Sequence, residues 1–311
     1  MKLVRFGEIG DERPGVLFEE AGQEKILDVR ASAFDIEDYN EHFFSHFGLA
    51  RLEALLKEKT RKIFSSKGFR LGAPIARPSK IICLGKNYAA HARECSSQAP
   101  ESPILFSKAT TAIVGPNDPV VLPMQNGIAR LQRYLPEAAA SQQAGAKHCG
   151  QVDGEVELAL VIGRKASRVP QKNALDYVAG YMIFNDVTDR EAQRTGKQWF
   201  RGKGADSFCP LGPWLVTADE IADPHDLKLK FSQNGKVLQD DSTKDMIFKI
   251  PHIIEFISAS ITLLPGDVIA TGTPAGIGSI RKPPVLFRPG DKIELTIDGL
   301  GKQVNKIAGA G

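Results

Sequence analysis

The stretch Asp153-Gly154-Glu155-Val156-Glu157-Leu158-Ala159-Leu160-Val161-Ile162-Gly163 decides how the chain is read. Its second half is an apolar run of strand length, rich in Leu, Val and Ile and closed by Gly163, which predicts a buried β-strand. Residues two apart on a strand project from the same face, so Glu155 and Glu157 stand side by side at the edge of an apolar core. Two carboxylates about 7 Å apart repel by roughly 2 kcal/mol at an effective dielectric of about 20, before desolvation is counted. A solvated edge strand relieves that repulsion, and so does a cation between the pair. A second apolar run, Tyr181-Met182-Ile183-Phe184-Asn185, ends on Asp186 and tips the choice toward the cation. Three carboxylates on strand edges, with no Cys or His among them, make an all-oxygen set suited to Mg2+, with Mn2+ or Ca2+ able to substitute.

Outward from this stretch the composition is that of an ordinary globular protein. The chain has 311 residues, 42% of them hydrophobic, enough for one large domain or a core with an appendage. Its 40 basic and 37 acidic residues leave a net charge of +3 and are well mixed, without the basic stripe that nucleic-acid binding needs. No run approaches the roughly 18 apolar residues of a membrane span, and the first residues alternate, unlike a signal peptide. A cytoplasmic location with no membrane partner is the expectation. Four cysteines, at 83, 95, 149 and 209, show no paired spacing and read as reduced, small hydrophobic residues. Phosphate-binding, dinucleotide-binding and serine-nucleophile motifs are missing from the sequence.

Residues 1–72 read as a small leading α+β module. Leu3-Val4-Arg5-Phe6, Gly15-Val16-Leu17-Phe18 and Lys25-Ile26-Leu27-Asp28-Val29 predict three short strands, and the leucines at 49, 52, 55 and 56 predict a helix. His42 and His46 are one helical turn apart, a spacing that can bind metal, but without a third ligand nearby they read as a surface turn. Pro74 and Pro78 mark the boundary to a second domain, 73–311. There Lys80-Ile81-Ile82-Cys83-Leu84-Gly85 predicts a core strand, and Asn87 is placed to cap a short helix over 88–95. On that helix His91 and Glu94 share a face within hydrogen-bonding reach. Such a pair can act as acid and base, or can simply sit on a solvated surface. Two strands follow, joined by the turn Gly115-Pro116-Asn117-Asp118. Residues 124–151 then turn rich in Ala, Gln and Gly and read as an insertion, with His148 lacking partners.

The order of these pieces resembles the fumarylacetoacetate hydrolase family. The resemblance rests on Gly-Lys-Asn-Tyr-Ala-Ala-His91-Ala-Arg-Glu94, Phe-Ser-Lys, Val-Asp-Gly-Glu155-Val-Glu157-Leu and Asn-Asp186-Val-Thr-Asp-Arg190, then Lys203 before Asp206-Ser-Phe-Cys-Pro-Leu-Gly-Pro, then Gly272-Thr273-Pro-Ala-Gly276. It covers roughly residues 74–298. The leading Met-Lys-Leu-Val-Arg-Phe-Gly and Lys282-Pro-Pro-Val-Leu resemble the branch named for ureidoglycolate lyase and 2,4-diketo-3-deoxy-L-fuconate hydrolase. The resemblance implies that Glu155, Glu157 and Asp186 hold the metal and that His91 and Glu94 are a catalytic dyad on a lid. It also implies that Arg190, Gln193, Gly272 and Thr273 meet substrate, with Lys203 placed to stabilise developing negative charge.

Two features depart from the family pattern: the insertion at 124–151, and Gly154, where the family has a bulky residue. Downstream, the isoleucines at 250, 253, 254 and 257 predict a core-facing helix within 246–260, and residues 292–297 predict a closing strand. Gly276 and Gly278 permit either a tight turn or close backbone approach to a carboxylate.

The expected fold is mixed α+β: a β-roll core of largely antiparallel mixed sheets behind the N-terminal module, in a homodimer as the resemblance implies. The expected reaction is Mg2+-dependent hydrolysis of a carbon-carbon bond in a 2,4-dioxo acid, giving pyruvate or another 2-oxo acid plus a carboxylic acid. Oxaloacetate decarboxylation, ureidoglycolate lyase chemistry at the same site and non-catalytic 2-oxo-acid binding are the alternatives.

Overall fold

The computed structural model of the protein describes residues 1–123 and 150–309. Strand Val156–Ile162 lies in the interior of an 11-stranded sheet. It pairs antiparallel with Val178–Asn185 on one side and with Val268–Ala270 on the other. Beyond Val268–Ala270 come Ile81–Gly85, joined in parallel, and Ile104–Lys108. In the other direction the sheet continues through Leu215–Thr217 to Lys2–Phe6, Arg13–Glu20, Gln23–Asp28 and Ile63–Ser65, all antiparallel. The N-terminal strands therefore extend the sheet that carries the carboxylates, with Leu3 opposite Leu215.

A five-stranded sheet forms the second layer, in the order Lys236–Ser242, Lys228–Gln233, Lys292–Ile297, Gly301–Ala308 and Val120–Val121. Even-numbered residues of the central strand, Leu158 and Leu160, pack with Leu229, Phe231 and Leu295 of this second sheet. Its odd-numbered residues, Ala159 and Val161, pack with Tyr39, Phe43 and Leu52 from the N-terminal region. Covered on both faces, the strand needs apolar residues at every position, which is why its sequence is a continuous run instead of an alternation. Each buried Leu, Ile or Val side chain contributes about 1.5–3 kcal/mol to this arrangement.

The mixed α+β architecture, largely antiparallel, agrees with the sequence reading, while several local expectations shift. The helix over 246–260 spans only Ile250–Ser258, because Pro251 is tolerated in a first turn and not deeper. The strands on either side of the 115–118 turn do not pair with each other: Ile104–Lys108 joins Ile81–Gly85, and Val120–Val121 joins Gly301–Ala308. Strand Lys292–Ile297 lies inside the second sheet instead of closing the first. Asn87 does not cap the helix that follows it. Fully buried, it donates to the carbonyls of Phe248 and Thr271 and accepts from the Phe248 amide, fastening the turn after Gly85 to two other segments.

His42 and His46 stack at 4.1 Å and belong to no metal-competent group among the described residues. Most of the 124–151 insertion, with His148 and Cys149, lies outside the described residues. No helix of the described residues is long and apolar enough to cross a membrane.

Candidate active site

Antiparallel register assembles the carboxylates. Val156 faces Asn185 across the ladder, so the residues just beyond, Glu155 and Asp186, come together, and the Asp186 amide donates to the Glu155 carbonyl at 2.9 Å. Glu157, two residues along, shares the face of Glu155, as the strand period requires. Carboxylate oxygens of Glu155, Glu157 and Asp186 all lie within 4.8 Å of one another, and all three side chains are buried.

Cations surround the group unevenly. Lys203 Nζ bridges Glu155 Oε2 at 2.8 Å and Asp186 Oδ2 at 2.5 Å. Lys108 Nζ donates to the other Asp186 oxygen at 2.5 Å and to the Val187 carbonyl. Arg190 Nη2 donates to Glu155 Oε1 at 2.6 Å and its Nε to Asp153 Oδ1 at 2.7 Å. Four buried carboxylates thus face three buried cations, and Glu157 has no ion-pair partner among the described residues. Its Oε2 accepts from the Gly272 amide at 2.8 Å. Burial, reinforced by repulsion from Asp186 and Glu155, raises the Glu157 carboxyl well above its ordinary range. For Glu155 burial works in the same direction, but Lys203, Arg190 and His91 outweigh it and hold the carboxyl low. An all-oxygen, buried, charge-deficient group fits a hard divalent cation, which would supply the positive charge that Glu157 lacks.

Lys203 owes its position to packing. It ends the short helix Phe200–Lys203, its amide donates to the Trp199 carbonyl at 3.1 Å, and its Nζ lies 5.0 Å from the Phe106 ring centroid. Trp199 meets Phe106 edge-on at 5.3 Å. Gly85 makes room for that indole, since a Cβ there would come within 2.7 Å of it.

Across the cavity, helix Ala89–Glu94 presents His91, whose Nδ1 lies 2.7 Å from Glu94 Oε1. Burial would lower the imidazole, but the Cys95 thiol, 3.9–4.0 Å away, and Glu94, with the field of Glu155, push it up to about 9. In the metal-free protein the folded chain therefore binds this proton more tightly than the unfolded chain, whose histidine titrates near about 6.5. The His91–Glu94 pair stabilises the fold fully below about pH 6.5, and that contribution is lost as pH rises through about 9. The expected result is a melting temperature that falls across this window in the wild type and stays flatter in His91→Gln; equal slopes in the two proteins would count against it.

Of the sequence-predicted residues, His91, Glu155, Glu157, Arg190, Gln193, Lys203 and Thr273 line one cavity of about 350 Å³, while Glu94, Asp186 and Gly272 do not line it and reach it only through their neighbours His91, Lys203 and Glu157. Gln193 accepts from Arg190 Nη1 at 3.2 Å. Thr273 is almost fully buried, donating to the Val156 carbonyl and accepting from Gln239. Gly272, with φ +94°, sits where a Cβ would lie 2.8 Å from that of Asn87. The close approach that Gly276, with φ +108°, permits is to the Leu238 carbonyl, 2.2 Å from where a Cβ would lie, and its amide donates to the chain's own Glu94 Oε2 at 2.8 Å. At Gly154 the missing side chain is replaced by the stacked rings of Phe231 and Phe287, which would lie within 2.9 Å of a Cβ.

Lys108 and Asp153 escaped the sequence reading, though both stand in motifs quoted above. A lysine closing a strand next to a carboxylate cluster was the available signal for the first. Cys95 also lines the cavity, beside His91.

Residues 80–308 match the family described as fumarylacetoacetate (FAA) hydrolase, C-terminal. The chain is 44% identical to the mitochondrial oxaloacetate tautomerase Fahd2a of Rattus norvegicus over 236 residues, 76% of this chain and 68% of that protein. Among solved structures it is similar to maleylpyruvate hydrolase from Sphingobium sp. SYK-6 in complex with manganese(II) and pyruvate, at 31% identity, TM-score 0.75 and full coverage of both chains. It is also similar to 5-carboxymethyl-2-hydroxymuconate delta-isomerase from Mycobacterium smegmatis, at 35% identity, TM-score 0.74 and full coverage of both chains.

Proposed function

Because this chain belongs to the fumarylacetoacetate hydrolase family, we propose that it is a divalent-metal-dependent hydrolase that cleaves the C3–C4 bond of a 2,4-dioxo acid. The observation that carries the reading is a buried three-carboxylate group, two of whose members line the same cavity as His91 of a hydrogen-bonded histidine-glutamate pair. Glu155, Glu157 and Asp186 would hold the ion, Mg2+ or Mn2+, which when bound polarises the 2-oxo group and offsets the charge of an enolate.

The chain's own groups do the rest. Arg190 and Gln193 orient the substrate carboxylate. Neutral His91, oriented by Glu94, takes a proton from a water that attacks the C4 carbonyl. As the C3–C4 bond breaks, its electron pair moves into an enolate, which Lys203 stabilises through its ammonium group. A proton returned to C3 completes the 2-oxo acid, and C4 leaves as a carboxylic acid. His91 must be neutral for this, and cancelling the pull of Glu155 on its proton by a cation among the carboxylates moves it in the required direction.

The 44% identity to an oxaloacetate tautomerase favours a second reading, in which His91 moves a proton at C3 of oxaloacetate and no bond between carbons breaks. Product analysis by NMR decides between them, using metal-free and Mg2+-loaded protein with an acylpyruvate, a 2,4-diketo-3-deoxy sugar acid, oxaloacetate and ureidoglycolate. Metal-dependent release of a 2-oxo acid with a carboxylic acid is the expected outcome. Faster enol-to-keto exchange of oxaloacetate without cleavage would transfer the assignment to the tautomerase reading. Carbon dioxide from oxaloacetate, or glyoxylate and urea from ureidoglycolate, would assign decarboxylase or lyase chemistry. The homodimer belongs to the same proposal and is read from the molar mass in solution.

A further inference from the structure

Asp153 is buried, yet it belongs neither to the three-carboxylate group nor to the dyad. Its strand, Val152–Asp153, pairs with Thr188–Asp189, which places it beside the start of the helix carrying Arg190. Each of its oxygens has one donor: Oδ1 accepts from Arg190 Nε at 2.7 Å, and Oδ2 accepts from the Ser279 amide at 2.7 Å. Arg190 is then held in three directions, by Asp153 at Nε, by Glu155 at Nη2 and by Gln193 at Nη1. A guanidinium has five N–H groups, so one on each terminal nitrogen is left uncommitted, and two such donors are what a carboxylate takes in a bidentate pair.

The turn that supplies the Ser279 amide also supplies the Gly276 amide to Glu94. It is a stiff piece of backbone. Arg281 Nε donates to the Gly276 carbonyl, and the Val285 amide donates to the Gly278 carbonyl at 2.9 Å. At Gly278 a Cβ would stand 2.0 Å from the Val285 carbonyl and 3.2 Å from Asp153 Cβ, so the turn lies directly on Asp153. One continuous path of hydrogen bonds and fixed backbone therefore runs from His91 through Glu94, Gly276, Ser279 and Asp153 to Arg190.

We propose that Asp153 is a positioning residue that aims the Arg190 guanidinium into the cavity, and that the 276–279 turn ties this aim to the placement of the His91–Glu94 pair. The inference rests on the reading of the cavity as a 2-oxo-acid site. A plain structural role, neutralising a buried arginine, would not couple the Arg190 guanidinium to the placement of Glu94, which the shared turn does.

Asp153→Asn tests it, because an amide keeps the shape but offers one oxygen and one NH2 group to two donors, so one of the two hydrogen bonds is lost. In the metal-free wild type the Arg190 Nε–H resonance, assigned by its disappearance in Arg190→Lys, is expected to exchange slowly with water. In Asp153→Asn it should exchange at least about tenfold faster. The Mn2+-loaded variant is expected to bind oxalate, a planar analogue of a 2-oxo-acid enolate, at least about tenfold more weakly, with Mn2+ affinity within about threefold of wild type. Combined with Glu94→Gln, the losses in oxalate affinity should be smaller than the product of the single losses.

An Arg190 Nε–H that exchanges freely in the wild type overturns the proposal without any variant having to fold. So does unchanged oxalate affinity in Asp153→Asn, and strictly multiplicative losses overturn the link through the turn. A wild-type protein that binds Mn2+ but not oxalate overturns the 2-oxo-acid reading instead, and the Arg190 resonance still decides whether Asp153 holds the guanidinium.

Discussion

Glu157→Gln is expected to weaken Mn2+ or Mg2+ binding by at least about a hundredfold and to lower turnover by about a thousandfold or more, while leaving the metal-free fold as stable as before or slightly more so. The two halves of this outcome share one cause. Of the four carboxylates gathered at the site, Glu157 is the one without an ion-pair partner among the described residues, pushed toward its neutral form by burial and by Asp186 and Glu155. A glutamine costs the metal-free protein almost nothing, because it is neutral from the start and its oxygen can still accept from the Gly272 amide. With the ion present the same change removes one of three charged ligands. Thermal melts separate the two states. Saturating Mn2+ at about 100 times its dissociation constant stabilises a protein by about 2.7 kcal/mol, a shift of roughly 4 °C for a chain of this size. That shift should be present in the wild type and nearly absent in Glu157→Gln. A variant melting well below the metal-free wild type would instead show that the carboxylate is charged and paired in the fold. Because the ion favours the ionised form of Glu157, whose carboxyl burial raises, binding should also release protons, visible as a dependence of the binding heat on the buffer.

The parts of this site that were legible in the sequence are those fixed by strand period and register. Glu155 and Glu157 are two apart on a strand, so their shared face follows from the chain geometry alone, and an apolar run ending in Asp186 needs only antiparallel pairing to bring that residue opposite Glu155. The His91–Glu94 pair was legible as a local contact on one helical turn, but its burial was not. What fixes Glu94 in place is the Gly276 amide, which reaches it from 182 residues away. Lys108 and Asp153 escaped for a related reason. A lysine or aspartate at the end of a short strand is more often solvated than buried, and what changes their meaning is a partner distant in sequence: Asp186 for the first, Ser279 for the second. Asn87 shows the same limit, because a residue well suited to cap the next helix is recruited by Phe248 and Thr271 instead. Local chemistry could name these groups, whereas their partners are set by the tertiary fold.

His91→Ala separates the two halves of the proposed mechanism. The residue lies outside the carboxylate group, faces it across the cavity, and has Glu94 and Cys95 within reach. Divalent-cation affinity should therefore stay within about threefold of wild type. Turnover should fall by about 10²- to 10⁴-fold, the range that general-base assistance covers. The fall should appear in kcat, since an imidazole that takes a proton from water contributes chiefly in the transition state and little to holding the substrate. Removing the ring also leaves space next to Glu94, so added imidazole should restore part of the rate, and more of it as pH rises and the free base accumulates. Glu94→Gln should cost less than His91→Ala, because the histidine remains and loses only its orientation and part of its basicity. If His91→Ala instead raised KM with kcat unchanged, His91 would be a substrate-binding group and the water would need another base. Among the described residues, Glu155 is held by Arg190 and Lys203 at 2.6–2.8 Å, and Glu157 is assigned to the ion. Loss of turnover with metal binding intact is thus the outcome that ties the chemistry to the dyad and reserves the carboxylates for the ion.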